Sequence, residues 1–190
     1  MSAPAKALGP GLAAVFDAHL DAEFVTRDVE ATMATMTDFP HLTHVPVLTG
    51  GSGRDQVRDF YGKYFVGRWP TDTKITHLSR TVGEERLVDE LIVSFTHDIE
   101  MPALLPGILP THRKVELPHV VVVGFEEGKV AYEHIYWDQA SLLVQIGLLD
   151  SARLPVCGAE QANRLRDSNV RCNELIRRAE CRRSQAGRSA

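Results

Sequence analysis

Apolar residues recur at helical spacing in the first third of the chain. Between residues 11 and 25 they fall three and four positions apart, which is the spacing of one face of an amphipathic helix. The stripe consists of Leu12, Val15, Phe16, His19, Leu20, Glu23 and Phe24. The pattern therefore predicts a first helix over residues 11–25.

Two further helices are predicted before residue 70. Asp28 is suited to cap a short helix that ends near Met36, because its carboxylate can accept from free backbone N–H groups. A third helix is predicted from Arg54 to about Val66. Its apolar stripe consists of Val57, Phe60, Tyr61, Tyr64 and Phe65.

The segment between the second and third helices is predicted to be extended or turning. Asp38-Phe39-Pro40 is expected to break the chain, and residues 41–48 are expected to be extended. The glycines of residues 50–53 precede a helix, as in loops that bind phosphate, but the Lys-Ser/Thr of a P-loop is missing. We therefore expect a flexible turn there.

Alternation with a period of two begins at Thr73 and predicts a run of strands. The predicted strands cover residues 74–81, 86–98, 114–126 and 128–139. Residues 101–112 contain three prolines among apolar residues and are expected to form a stiff apolar flap. Helices followed by antiparallel strands indicate an α+β domain, in which the helices cover one face of a curved sheet.

The last predicted strand has two different faces. Tyr132, His134, Tyr136 and Asp138 point to one side, and Ala131, Glu133, Ile135 and Trp137 point to the other. Imidazole, phenol and carboxylate groups lose solvation in a core unless they find partners, so a face that carries all three suggests function. We therefore expect the face with His134 and Asp138 to line an active site.

Composition indicates one globular domain with appended ends. The chain has 190 residues, 44% hydrophobic and 24% charged, with a net charge of −4. Residues 151–190 carry nine arginines against four acidic residues, so the remainder is strongly acidic, which argues against a nucleic-acid-binding core. The expected organisation is a disordered N-terminus over residues 1–10, a domain over 11–150 and a basic extension over 151–190. The extension could contact RNA, anionic lipid or an acidic partner, or be a solvated terminus.

Cysteine usage and hydropathy favour a cytoplasmic protein. The cysteines at positions 157, 172 and 181 are odd in number and form no Cys-x-x-Cys motif, which favours reduced thiols in the cytosol. No apolar run approaches the roughly 20 residues of a membrane helix. The first ten residues lack the basic start and apolar middle of a secretory signal.

The motifs resemble those of a known superfamily. Gly53-Arg54-Asp55-Gln56-Val57-Arg58-Asp59-Phe60-Tyr61 on the third helix and residues 128–139 on the last strand are similar to the nuclear transport factor 2-like superfamily, in its SnoaL-like branch. The resemblance covers roughly residues 12–150 and implies a cone-shaped antiparallel or mixed sheet with the N-terminal helices on its concave face. It also implies a pocket that works by acid–base catalysis without a cofactor.

Three shorter segments resemble bacterial proteins labelled carboxymethylenebutenolidase-related. They are Thr43-His44-Val45-Pro46 followed by Thr49-Gly50-Gly51, residues 80–90, and Tyr136-Trp137-Asp138-Gln139-Ala140-Ser141. Dienelactone hydrolysis of the usual kind uses a nucleophile in a Gly-x-Cys/Ser-x-Gly elbow. The sequence has no such elbow, since Cys157 follows the predicted sheet in Pro-Val-Cys-Gly, so nucleophilic chemistry is not expected.

The candidate catalytic residues come from the predicted inward faces of the strands. The resemblance places an acidic residue at Asp138, and His134 shares its face, while His97 lies on an apolar face of an earlier strand. The expected substrate-binding residues are His44, Tyr61, Tyr64, Phe65, Asp89, His119 and Tyr136. Each histidine could instead be a hydrogen-bonded core residue, and each tyrosine a packing residue.

We expect an acid–base enzyme acting on a small apolar metabolite that bears a carbonyl or lactone. The alternative is a non-catalytic module of the same fold that binds a small ligand or a protein. No cofactor is expected, and no metal, because the sequence has no His-x-x-x-His or His-Glu-x-x-His spacing, although ligands that lie far apart in the sequence could still meet on adjacent strands. The expected partners are a small-molecule substrate and a second copy of the chain, which would pack through an outer sheet face formed by Ile92, Val120, Val122, Ile135 and Trp137. Neither a membrane nor nucleic acid is expected.

Overall fold

The computed structural model describes residues 11–152 and 154–186. Three helices precede most of the sheet: α1 is Leu12–Leu20, α2 is Val29–Ala34 and α3 is Arg54–Phe60. The first continues as a π-helical turn over Asp21–Val25, and the third as a π-helical turn over Tyr61–Phe65. The prediction of a disordered N-terminus falls on residues outside the described range.

Asp28 caps α2 as predicted. Its Oδ1 accepts hydrogen bonds from the backbone N–H groups of Glu30, at 2.9 Å, and Ala31, at 3.1 Å. These N–H groups have no hydrogen-bond acceptor inside the helix, and the Asp28 carboxylate provides one. The cap fixes where α2 begins and therefore how the chain passes from α1 into the sheet.

The described residues form one open sheet of six strands, in the order β2-β1-β6-β5-β4-β3. The strands are β1 Met36–His44, β2 Thr49–Ser52, β3 Lys74–Val82, β4 Arg86–Thr96, β5 Lys114–Glu126 and β6 Lys129–Trp137. Neighbouring strands are antiparallel except β1 and β6, which are parallel. The predicted α+β class with a mixed sheet is confirmed.

Two predictions about the first strands are wrong. The segment Asp38-Phe39-Pro40 does not break the chain but lies within β1, where a register shift between Met36 and His41 absorbs it. The glycines after it form edge strand β2 instead of a flexible turn. Glycine is required there, because a Cβ on Gly50 would lie 2.0 Å from the carbonyl oxygen of Leu42.

The proline-rich segment is a loop closed at its base. His97 N–H donates to the carbonyl of Arg113, and His112 N–H donates to the carbonyl of His97, both at 2.9 Å. From this base the loop inserts apolar side chains into the core, and Met101, Leu104 and Leu105 are almost fully buried. The predicted apolar flap is therefore packed against the domain and contributes side chains to its core.

Three helices follow the sheet: α4 Gln139–Gln145, α5 Glu160–Arg166 and α6 Glu174–Ala186. Arg166, at the end of α5, donates to Glu116 and Ser94, which are directly paired on β5 and β4. The helix thus covers the outer sheet face where Ile92 is buried. None of the helices in the described ranges is long and apolar enough to cross a membrane.

Candidate functional site

A small cavity lies between the helices and the inner face of the sheet. Its volume is about 60 Å³, and its wall is mostly apolar. The polar side chains that reach it are Glu23, His44, Tyr61, His119 and Glu133. Apolar lining comes from both helical segments, from the strands and from Leu104 of the proline-rich loop. A concave apolar site with a few polar groups is the usual form of a small-molecule site.

The predicted orientation of β6 is wrong. Glu133, Ile135 and Trp137 line the cavity, whereas His134 and Tyr136 lie on the opposite face, where Tyr136 is 43% exposed. The alternation was predicted correctly, but the more apolar face is the inward one, because the cavity wall excludes water. The same reversal removes Ile135 and Trp137 from the predicted dimer face.

Four polar side chains from α1, the two π-helical turns and β6 meet at the cavity. The Tyr61 hydroxyl donates to Glu133 Oε2 at 2.8 Å. His19 Nε2 lies 3.2 Å from the Tyr61 hydroxyl, 3.2 Å from Glu23 Oε1 and 3.3 Å from Glu133 Oε2. We call His19, Glu23, Tyr61 and Glu133 the buried cluster, since each is at most 5% exposed.

The π-helical turns position two members of the buried cluster. Glu23 lies in the turn that extends α1, and Tyr61 lies at the start of the turn that extends α3. Such turns change which side chains point inward and are frequent at functional sites. His19 is one α-helical turn before Glu23, so both side chains face the sheet together.

The ring of His19 is held in one orientation by Thr35. His19 Nδ1 lies 2.6 Å from Thr35 Oγ1, whose hydroxyl donates to the carbonyl of Thr32 at 2.7 Å. Because that hydroxyl proton is already used, Thr35 can only accept, and Nδ1 must carry a proton. The other ring nitrogen, Nε2, is thereby directed at the two glutamates.

Charges within the cluster separate the pKa values of its two carboxylates. Burial disfavours the charged imidazole, but Glu133 and Glu23 outweigh this effect and raise the pKa of His19 to about 10. Burial also opposes ionisation of Glu133, yet the charge of His19 and the hydrogen bonds from His19 and Tyr61 lower its pKa. Burial raises the pKa of Glu23, so Glu23 is the carboxyl that holds a proton more readily. Two carboxylates with opposite shifts are suited to act as base and acid.

His44 and His119 are the predicted histidines that reach the cavity. Burial lowers the pKa of each ring to about 4, so both are neutral near pH 7. They flank Trp137, with ring centroids 5.4 Å and 5.5 Å from it. Tyr61 and Phe65 also line the cavity, in agreement with their predicted positions.

Four other predicted site residues lie outside the cavity lining. Asp138 caps α4 by accepting from Ser141 N at 3.1 Å, and its other oxygen accepts from Gln161 at 2.6 Å. Tyr64 is 47% exposed. Asp89 is buried in an ion pair with Arg80, with contacts of 2.6 Å, and His97 packs against Thr111 at 3.1 Å. Their predicted presence in the pocket is therefore wrong.

His19, Glu23 and Glu133 are not among the residues predicted for the site. A signal was present in the stripe of α1, where a histidine and a glutamate interrupt an otherwise apolar face four residues apart. Glu133 is likewise the single acidic residue on the apolar face of β6. A charged side chain at an inward position costs free energy unless it is paired. An isolated polar residue in an apolar pattern therefore predicts that a second polar residue lies beside it in the fold.

The buried cluster is also where a cation could bind. Within the described ranges, one ligand atom each from His19, Glu23 and Glu133 lies within 4.8 Å of the other two. Binding a metal would require the proton on His19 Nε2 to leave. The expectation that the site contains no metal stays a prediction.

Comparisons with known proteins agree with this architecture. The SnoaL-like domain family matches residues 16–133. No curated protein matches the sequence. Among solved structures, a protein of Jannaschia sp. provisionally assigned as a SnoaL-like polyketide cyclase shares 16% identity with a TM-score of 0.58, over 77% of this chain and all of that one.

Two further structures have the same fold at low identity. A nuclear transport factor 2-like protein of unknown function from Burkholderia pseudomallei is 18% identical, with a TM-score of 0.56 over 73% of this chain and 99% of that one. A Catenulispora acidiphila protein with a ketosteroid isomerase-like fold, in complex with trimethylamine, is 12% identical, with a TM-score of 0.54 over 71% and 93%. The family match spans more than half of the sequence, and the chain therefore belongs to the SnoaL-like domain family.

Proposed function

We propose that the protein is a cofactor-independent acid–base enzyme acting on a small apolar molecule that bears a carbonyl or lactone. One observation carries the proposal. Glu133, with a lowered pKa, and Glu23, with a raised pKa, both line the same apolar cavity. A base that is ionised beside an acid that is neutral is what proton transfer to and from one substrate requires.

The contacts of the two glutamates indicate which oxygens could reach a substrate. His19 and Tyr61 contact Oε2 of Glu133, and His19 contacts Oε1 of Glu23. We assign proton transfer to the other two oxygens, Glu133 Oε1 and Glu23 Oε2.

The proposed reaction moves protons without any covalent enzyme intermediate. Glu133 removes a proton from the carbon next to the carbonyl, and the electron pair of that C–H bond forms an enol whose oxygen takes the proton of Glu23. If Glu133 returns its proton to a second carbon that is conjugated with the enol, while Glu23 takes back the enol proton, the result is isomerisation. If Glu133 gives its proton to a leaving oxygen on the next carbon, while that C–O bond breaks and Glu23 takes back the enol proton, the result is elimination. For a lactone, Glu133 would instead deprotonate a water that attacks the carbonyl carbon, while Glu23 protonates the carbonyl oxygen. The ring C–O bond then breaks, Glu133 gives its proton to the leaving oxygen, and Glu23 recovers its own proton from the new carboxyl group.

The size of the cavity limits the substrate. At about 60 Å³ it holds a few waters, far less than the roughly 300–1,000 Å³ of pockets for drug-sized ligands. A small substrate suits it, and larger substrates require the walls to move. The structure from Catenulispora acidiphila that contains trimethylamine is consistent with small ligands in this fold.

The test is exchange of carbon-bound protons in heavy water. Cyclopentanone and γ-butyrolactone are incubated with the protein, and loss of their α-proton signals is followed by NMR. We expect exchange by the wild type and a decrease of about 10²–10⁴ in Glu133→Gln. Exchange no faster than in buffer for both probes, although they bind, would identify a non-catalytic binding module instead.

A second copy of the chain is the proposed partner for the outer sheet face. Val120 and Tyr136 are directly paired on β5 and β6, and they are 39% and 43% exposed. We expect sedimentation to give a dimer that Val120→Asp dissociates, since the charge would lie in the interface. Val82→Asp, at an exposed position of β3, is the control. A wild-type monomer would refute this proposal.

A further inference from the structure

Two neutral histidines line the cavity from the strands on either side of β6, which carries Glu133. His119 pairs directly with Trp137 across the sheet, and His44 pairs with Ile135. Ile135 lies two residues after Glu133, which corresponds to about 7 Å between their backbones. The charge of Glu133 acts on His44, so the histidines continue the polar lining of the cavity from Glu133 towards Trp137.

The proton of each ring can be located from its partners. His44 Nδ1 lies 3.0 Å from Thr49 Oγ1, and that hydroxyl donates to the carbonyl of Ala103 at 2.7 Å. His119 Nδ1 lies 3.0 Å from the carbonyl oxygen of Leu117. Both partner oxygens can only accept, so both rings carry their proton on Nδ1.

The remaining nitrogen of each ring is consequently a hydrogen-bond acceptor. Among the described residues Nε2 of His44 and Nε2 of His119 have no hydrogen-bond partner, and neither is sealed in the core. Burial lowers the pKa of both rings, which keeps them unprotonated near neutral pH. The nearest indole cannot supply a donor, because Trp137 Nε1 already donates to Gln139 at 2.6 Å.

We propose that His44 and His119 form a subsite for a hydroxyl group of the ligand, an alcohol or an enol, in the part of the cavity next to Trp137. The subsite rests on the proposed function only in that both place the substrate in this cavity. A carbonyl oxygen between the two rings would meet two lone pairs, whereas a hydroxyl would donate to one of them. The substrate class is therefore a small apolar skeleton with a carbonyl or lactone that faces the glutamates and a hydroxyl that faces the histidines.

A neutral hydroxyl suits this subsite better than an ammonium group. The side chains around the histidines, which include Leu104, Val121 and Trp137, are apolar, and neither histidine is charged, so a bound cation would depend on the carboxylate of Glu133. Moving an ammonium ion out of water without such a partner costs far more than moving an alcohol. Binding of a cation in preference to an alcohol in Glu133→Gln would therefore contradict the proposal.

Three probes of one shape test the subsite: cyclopentanol, cyclopentanone and cyclopentylamine. Their dissociation constants are measured by ligand-detected NMR in wild-type protein and in Glu133→Gln. We expect cyclopentanol to bind about ten times more tightly than cyclopentanone in both proteins, which corresponds to one hydrogen bond. No detectable binding of cyclopentanol, or tighter binding of the ketone or the amine in Glu133→Gln, overturns the proposal.

Substitution of the rings provides the second arm. His44→Phe and His119→Phe remove the acceptor and should reduce the alcohol preference to less than about twofold, while His119→Gln, which keeps an acceptor oxygen, should retain it. A preference that survives both phenylalanine variants contradicts the proposal. Nitrogen-15 NMR of the wild type keeps the test independent of variants that fail to fold, since it must show Nδ1 protonated and Nε2 unprotonated, with Nε2 shifting on addition of cyclopentanol.

The two proposals fail separately. If the wild type shows no proton exchange but still binds cyclopentanol more tightly than cyclopentanone, catalysis by Glu133 is wrong and the hydroxyl subsite is supported. Exchange by the wild type without any alcohol preference would keep catalysis and reject the subsite.

Discussion

The hydroxyl of Tyr61 donates a 2.8 Å hydrogen bond to the carboxylate of Glu133, and this contact joins the helical layer to the sheet at the cavity. Both side chains are almost fully buried. A hydrogen bond to a charged group in such surroundings is shorter and stronger than one between neutral groups. The contact therefore stabilises the fold and also favours the ionised form of Glu133, so structure and proposed chemistry depend on the same atoms.

The charge of His19 makes stability depend on pH in a predictable direction. Its pKa is raised from 6.5 to about 10 on folding, so the stabilisation is complete below pH 6.5 and is lost as the pH rises towards 10. We expect the free energy of unfolding, from urea titrations, to fall by up to about 1.4 kcal/mol per pH unit across this window.

His19→Gln provides the comparison for that pH dependence. The variant leaves two buried carboxyl groups without a cation, and we expect it to lose about 3–5 kcal/mol at pH 7. It should also lack the alkaline decline attributed to His19, because the titrating group is gone. Parallel stability curves for the two proteins between pH 7 and 10 would show that His19 is not charged in the folded state.

Asp138 is predicted to matter for stability and not for catalysis. Its carboxylate caps α4 through Ser141 and holds Gln161. Asp138→Ala should lower the free energy of unfolding by about 1 kcal/mol, while Asp138→Asn, which can also cap, should change it little. Thermal and urea unfolding measure the difference. Equal free energies of unfolding for Asp138→Ala and Asp138→Asn would show that the cap does not stabilise the protein.

Phe24 and Trp69 are predicted to control access to the cavity. Their ring centroids are 5.4 Å apart, and both residues line the cavity and also an outer groove that continues to Arg27 and Pro70. Phe24→Ala should accelerate association and dissociation of cyclopentanol about equally, because it opens the passage without changing the polar groups. NMR exchange broadening measures both rates.

The control for the access prediction is Phe39→Ala, which removes a phenyl ring that is 88% exposed on β1. Its exchange rates should equal those of the wild type. Unchanged rates in Phe24→Ala would place the entrance elsewhere.

Metal removal should leave activity unchanged. The buried cluster could hold a cation, but in the proposed mechanism a proton on His19 occupies the place between the carboxylates. Dialysis against EDTA, followed by the exchange assay with and without added Zn²⁺ or Mn²⁺, measures the effect. If activity is lost on chelation and restored by one of the ions, a metal ion and not the proton on His19 lies between the carboxylates in the active protein.

Local patterns were sufficient to predict much of the fold. The alternation in β5 predicted the strand over 114–126 that the structure contains, and Asp28 marked the start of α2 correctly. These features depend on periodicity and on capping, both of which act within a few residues. The parallel pairing of β1 with β6 depends on contacts between distant segments, and no local pattern indicates it.

The site was harder to predict because a strand has two faces and the sequence does not say what covers each. On β6 the face with His134 carries more polar groups, yet the helices cover the face with Glu133. In an apolar cavity, one acid among hydrophobic residues is a stronger sign of function than several polar groups together. The same reasoning applies to His19 and Glu23 on the stripe of α1.

The most direct test compares proton exchange from cyclopentanone in Glu133→Gln and Asp138→Asn under identical conditions. The comparison separates a carboxylate that faces the cavity from one that caps a helix on the same stretch of chain. We predict that the exchange rate in Glu133→Gln is lower than in the wild type by a factor of about 10²–10⁴. The rate in Asp138→Asn should stay within about twofold of the wild-type rate. A full rate in Glu133→Gln, or a comparable loss in Asp138→Asn, would contradict the assignment of proton transfer to Glu133.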